Sequence, residues 1–140
     1  MLKLHSAIVT PMPPYKKLFT YWFTVLIYDR TVEFCQLYRQ LLSSSRTFDQ
    51  MVQAARSGKQ NIVEGSQAMA TSIKSAIKLT GVANASLEEL IEDLEDFLRQ
   101  HQLKQWPKDD PRVVSLRRQS AALVSDLSIL GNLSNLDSLP

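Results

Sequence analysis

Apolar residues recur at spacings of three and four in four successive stretches of this chain, and no stretch alternates with period two. That pattern restricts the fold most. A three-to-four spacing gathers side chains on one face of a helix and scatters them over both faces of a strand. The first stretch, from about Tyr15 to Leu42, repeats Phe19, Phe23, Leu26, Phe34, Leu37 and Leu41, with Trp22 and Ile27 widening the stripe. "SSSR" (Ser43 to Arg46) breaks it. Thr47 followed by Gln50 has the form of a capping box, so a second helix is expected from Thr47 to about Gly65. It has two inward stripes, one of Phe48, Val52, Ala55 and Ile62, the other of Met51, Ala54, Gly58, Asn61 and Gly65.

A third helix starts at Thr71 or Ser72 as N-cap. It runs along Ile73, Ile77, Thr80, Asn84, Leu87, Ile91, Leu94 and Leu98 to near Leu103. "QWPKDDP" (Gln105 to Pro111) is a turn, with Asp110 as N-cap and Pro111 as first residue of a fourth helix. That helix carries Val113, Leu116, Ser120, Leu123, Leu127 and Leu130, and Gly131 stands where a C′ glycine belongs. Residues 1–14, with "TPMPP", form an irregular lead, and 132–140 a frayed tail. The expectation is one all-α domain over residues 15–131, an up-down-up-down four-helix bundle.

Hydrophobic residues make up 44% of the 140 and charged residues 21%, a globular and not a disordered balance. The single cysteine, Cys35, cannot form an internal disulfide; with no leader peptide legible, a reducing, cytoplasmic setting is expected. Lys16-Lys17 precedes "LFTYWFTVLIY", an apolar run of 11 residues. It is too short to span a bilayer and no small-residue cleavage site follows it, so it reads as a buried amphipathic helix.

Little in the chain promises catalysis. "SGKQNIVEGSQ" (Ser57 to Gln67) suggests a phosphate-binding loop, but the first glycine of that motif falls on Gln53 and the hydroxyl position on Gln60. His5 and His101 are isolated, and the Glu-x-x-His pairs of a di-metal bundle are absent, so neither a metal nor a cofactor is expected. Cys35, beside Phe34 in a helix, reads as a core thiol. Tyr21, Trp22, Tyr28 and Tyr38 can stack bases, though such residues more often serve core and interface. Asn61 and Glu64 have no partner acid, base or metal in sequence and read as a hydrogen-bond network setting helix register. Gly58 and Gly65, seven residues apart on a small-residue face, each cost a helix about 1 kcal/mol against Ala. Close approach of another helix is the usual compensation.

Net charge is only +2, yet the signs are segregated. Residues 1–80 carry ten bases and four acids; residues 81–99 carry six acids, Glu88, Glu89, Glu92, Asp93, Glu95 and Asp96, against Arg99 alone. Glu95 and Arg99 are placed to pair one turn apart. Arg46, Arg56, Lys59, Lys74 and Lys78 dominate the second helix and the start of the third. A phosphate-facing surface explains that cluster, and a solvated face explains it nearly as well.

"DQMVQAARSGKQNIVEGSQ" (Asp49 to Gln67), then "GVANASLEEL" (Gly81 to Leu90), resembles the four-helix-bundle family of large-subunit rRNA intervening-sequence proteins. The matching residues are Gln50, Ala54-Ala55, Asn61-Ile62-Val63-Glu64-Gly65 and Ser86-Leu87-Glu88-Glu89-Leu90, and "IYDRTVEFC" (Ile27 to Cys35) is similar to the family's first helix. The likeness covers roughly Leu18 to Leu103 and departs at Lys59-Gln60, where many members have Pro and a small residue. It implies four-helix bundles assembled into ring-like homopentamers, with no catalytic residues and no cofactor. A related branch comprises the accessory variability proteins of diversity-generating retroelements, which bind nucleic acid and a reverse transcriptase. Two functions are therefore expected as alternatives. One is a non-enzymatic nucleic-acid-binding oligomer using Arg46, Arg56, Lys59, Lys74 and Lys78, with Gly58, Asn61, Glu64 and Gly65 packing helices. The other is a protein-interaction scaffold for a partner such as a reverse transcriptase. The apolar width of the first helix fits a chain that buries a second face in an oligomer.

Overall fold

The computed structural model describes residues 13–133. Most of the expected lead and tail, with His5, lies outside the described residues. Within them the chain is helical, with no strand: α1 Phe19–Leu37, α2 Ser45–Ala68, α3 Ile73–Gln100 and α4 Pro111–Leu133. One-turn 3-10 helices stand at Pro14–Lys17 and Arg39–Leu41.

The ends depart from expectation where equivalent caps compete. α2 starts at Ser45 because Ser44, in extended backbone, accepts the Thr47 N–H at 3.2 Å. Ser44 is as good a cap as Thr47 and comes earlier, so Thr47 falls inside the first turn. Its hydroxyl lies 2.9 Å from that of Ser43. Ser72, not Thr71, caps α3, accepting from the Ser75 N–H at 3.2 Å. α3 stops at Gln100, and Gln102 takes φ 56°, the left-handed conformation. Leu103 N–H then donates to Leu98 C=O at 2.8 Å and Gln102 N–H to Arg99 C=O at 3.2 Å. These two bonds are a Schellman motif, built here without glycine. α4 does start at Pro111. It does not end at Gly131, however, and runs on to Leu133.

α2 and α3 form an antiparallel hairpin and make the closest packing in the molecule; α1 lies on α2, and α4 lies on α1 and the first 3-10 turn. α4 has no comparable contact with α3. The core joins Cys35, Leu42, Met51, Ala54, Ala55, Leu90 and Phe97, with Tyr28, Phe34 and Leu94 packed against it.

The inward faces of α1, α3 and α4 are rotated from the stripes read in sequence. α1 buries Thr24, Thr31 and Cys35, while Phe19, Phe23, Leu37 and Leu41 are exposed. The two buried hydroxyls are satisfied locally: Thr24 donates to Tyr21 C=O and Thr31 to Ile27 C=O. α3 buries Ala76, Ala83, Ser86, Leu90 and Phe97, so Ile73, Ile77 and Ile91 remain outside. α4 buries Val124 and Ser128, and Leu116 and Leu123 are exposed. Small residues win the contact with α2 because two helices approach closely only where side chains are short. The larger aliphatic stripe beside them is left for another surface.

Candidate nucleic-acid interface

The five bases do not converge within one chain. Arg46 lies in the first turn of α2, in a polar groove of about 740 Å³ shared with Asp49, Glu89, Glu92 and Asp93. Arg56 is exposed on α2. Lys59 is half-buried, its ammonium 4.8 Å from the centre of the Tyr28 ring. Lys74 and Lys78 are exposed in the first turns of α3. Gly65 faces Ala76 and Thr80, so Lys78 is level with Gly65 on α2. That is nineteen residues, about 28 Å, from Arg46, and nine residues, about 14 Å, from Arg56. Among the described residues none of the five is in an ion pair. Lys74 also sits in the first turn of α3, at the positive end of its dipole, where a cation is disfavoured and an anion welcome.

The acids occupy the other half of α3. Asp93 is half-buried, and its carboxyl is pushed above the usual range, first by burial and then by Asp96, Glu89 and Glu92. Arg99 pairs with Asp96, three residues before it, at 2.8 Å and not with Glu95. Burial, followed by the nearby Asp93 charge, raises the Cys35 thiol, which is wholly enclosed. A thiol in that setting is poor as a nucleophile. No group of three or more His, Cys, Asp or Glu able to hold a metal occurs among the described residues.

The residues assigned to helix packing separate into two kinds. A Cβ added to Gly58 would lie 2.7 Å from Leu87 Cδ2; one added to Gly65 would lie 3.2 Å from Thr80 Oγ1 and 3.4 Å from the Ala76 carbonyl oxygen. Asn61 donates to the Ser57 carbonyl at 2.9 Å and to its hydroxyl at 3.2 Å. The Ser57 hydroxyl is 2.8 Å from that of Ser86, so Asn61, Ser57 and Ser86 form a polar chain from α2 to α3. Glu64 is exposed and takes no part. Ser57 and Ser86 carried no signal in sequence, since a serine looks the same on either face of a helix.

The aromatics that could stack bases make contacts within the chain, whereas Phe19 and Phe23 of α1 are exposed. Tyr21 meets Trp22 edge-on at 5.0 Å, Trp22 donates to Lys16 C=O at 2.8 Å, and Tyr38 lies against Phe34 and Phe97. At the far end, Arg112 grips both Asp110 oxygens at 2.8 and 3.0 Å and stacks 3.8 Å from the Trp106 ring centre. That fork, with the Asp110-to-backbone hydrogen bond, holds the Asp110 carboxyl at about 2. Among the described residues no helix is long and apolar enough to cross a membrane. No family model, no curated protein and no solved structure matches the chain.

Proposed function

We propose that the protein is a non-enzymatic nucleic-acid-binding oligomer, a cytoplasmic up-down-up-down bundle that holds RNA or DNA chiefly through its phosphates. The observation that carries this reading is the set of five bases, Arg46, Arg56, Lys59, Lys74 and Lys78, none paired with a carboxylate among the described residues. Spread over about 28 Å in one chain, they need repetition by symmetry to make a continuous band. A ring-like homopentamer, which the family resemblance implies, is one such repetition. A factor serving a retroelement or an rRNA insertion fits that resemblance too. Fluorescence anisotropy with structured RNA and with duplex DNA across a salt series tests the reading. Binding should weaken steeply with salt, at about 0.9 per phosphate on the log–log slope for duplex DNA. Arg56→Glu with Lys78→Glu should weaken it and flatten the slope; binding to neither nucleic acid at low salt would remove the reading.

A second reading, a scaffold for a protein partner such as a reverse transcriptase, is favoured by the exposed aliphatics Leu37, Ile73 and Ile77, which are 73%, 65% and 69% accessible. Pull-down of one partner after nuclease treatment supports it.

A further inference from the structure

α3 has a second apolar seam that the rest of the chain covers along one edge only, where Leu87 meets Gly58 and Thr80 meets Gly65 of α2. Ile73, Ile77, Thr80, Asn84 and Ile91 follow spacings of four, three, four and seven, and all five are exposed. Leu87, Leu94 and Leu98 continue the same line half-buried: one side of each is taken within the chain, Leu87 by Gly58, Leu94 by the core and Leu98 in a groove with Phe34 and Tyr38, and the other side stays open. This is a heptad pattern over most of the length of the helix. α2 takes the neighbouring small-residue face of α3, and α4 packs on α1 instead.

Charge decides what fits. The first two turns of α3 carry Lys74 and Lys78 and no acid; Glu88, Glu92, Glu95 and Asp96 lie on the exposed half beyond. The helix is thus basic at one end and acidic at the other, beside one continuous seam. A parallel copy would set like charge on like. An antiparallel copy sets each half against its opposite, twice over, and needs no other partner.

We propose that α3 pairs antiparallel with α3 of a second copy about a two-fold axis. The heptad register places Ile73 of one protomer against Ile91 of its partner, Ile77 against Leu87, and Thr80 against Asn84. The two central polar layers fix the register at some cost in stability, as a single asparagine does in coiled coils. Lys74 flanks the seam beside the partner's Glu88. A groove of about 580 Å³, floored by Ile62 and Met69 next to Ile77, lies where the acidic half of the partner arrives. Lys78 stands a further turn round the helix and stays free, as does Arg56 on α2. An isologous contact closes at two, so a five-membered ring joined this way counts ten chains. The inference rests on the chain being an oligomer and not on its binding nucleic acid.

Disulfide trapping tests it, in protein free of nucleic acid. Cys35 is fully buried, so wild type supplies a low background. Mixing a Lys74→Cys copy with a Glu88→Cys copy should give crosslinked dimers, while Lys74→Cys alone should not. Sedimentation should show Lys74→Glu dissociating about tenfold more readily, and Lys74→Glu with Glu88→Lys restored. Self-crosslinking of Lys74→Cys, or a monomeric wild type at tens of micromolar, overturns the pairing. So does an assembly in which the mixture never crosslinks. A wild-type protein that does not pair through α3 yet binds nucleic acid overturns this inference and leaves the preceding one standing.

Discussion

Leu87 of α3 sits over Gly58 of α2 so closely that a methyl group at Gly58 would meet its Cδ2 at 2.7 Å and its Cγ at 2.9 Å. The two helices are locked at that point by the absence of a side chain. Ala at Gly58 would gain about 1 kcal/mol of helix propensity, but overpacking typically costs about 1–3 kcal/mol. Gly58→Ala should therefore lower stability by about 1 kcal/mol. Gly65→Ala meets Thr80 and Ala76 at 3.2–3.4 Å and should be nearly neutral. Nothing lies within 4 Å at Gly81, so Gly81→Ala should stabilise by up to about 1 kcal/mol. Denaturant midpoints should rank the three as Gly81, Gly65, Gly58; any other order means the hairpin is packed differently.

Gln102 holds the left-handed position that ends α3, at φ 56°. A residue with a Cβ is strained there by about 1 kcal/mol and glycine is not. Gln102→Gly should raise the melting temperature, whereas glycine at exposed Ala85, in the middle of α3, should lower it. A fall in melting temperature for Gln102→Gly as well would show that the Schellman turn does not form.

Ser86 is 8% accessible, and its hydroxyl is the α3 end of the Asn61–Ser57–Ser86 chain. Ser86→Ala should cost about 1 kcal/mol. Ser57→Ala in addition should cost less than the sum of the two singles, because one hydrogen bond cannot be lost twice. Additive losses in a double-mutant cycle would dissolve the network.

Asp93 has a carboxyl raised by burial and by three neighbouring acids. The fold prefers the protonated form, so its contribution is fully favourable below the unfolded value of about 3.9 and is lost as pH rises through the raised value. Asp93→Asn should melt higher than wild type at pH 7, and the gap should close below about pH 4. Added salt should narrow it at pH 7 by screening Glu89, Glu92 and Asp96. No advantage for Asp93→Asn at pH 7 would mean that the acids of α3 lie too far from one another to interact.

Helix number and order were legible in the sequence, but the first stretch, expected as one helix from Tyr15 to Leu42, folds as α1 with a separate 3-10 turn at each end. Pro111 and the Gln105–Pro111 turn carry local chemistry that works whatever surrounds them, whereas Thr71 and Ser72 were equal candidates to cap α3. Local chemistry was ambiguous where two residues could do one job. Ser44 displaced Thr47, and Asp96 displaced Glu95 as partner of Arg99. Gly131 failed to stop α4 because a glycine permits the left-handed turn without requiring it.

Periodicity determined that α1, α3 and α4 have apolar faces; the tertiary contacts decided which of those faces each helix buries. α3 illustrates the reason. Its stripes at Ile73–Ile77–Ile91 and at Ala76–Ala83–Leu90–Phe97 are both helical in period and neighbours on the surface. Nothing within one helix distinguishes them. Gly58 and Gly65 on α2 do, since the missing side chains let α3 come close there, with Leu87 over Gly58 and Ala76, Leu79 and Thr80 over Gly65. The same contacts left the larger stripe facing outward, with the lysines at one end and the carboxylates at the other.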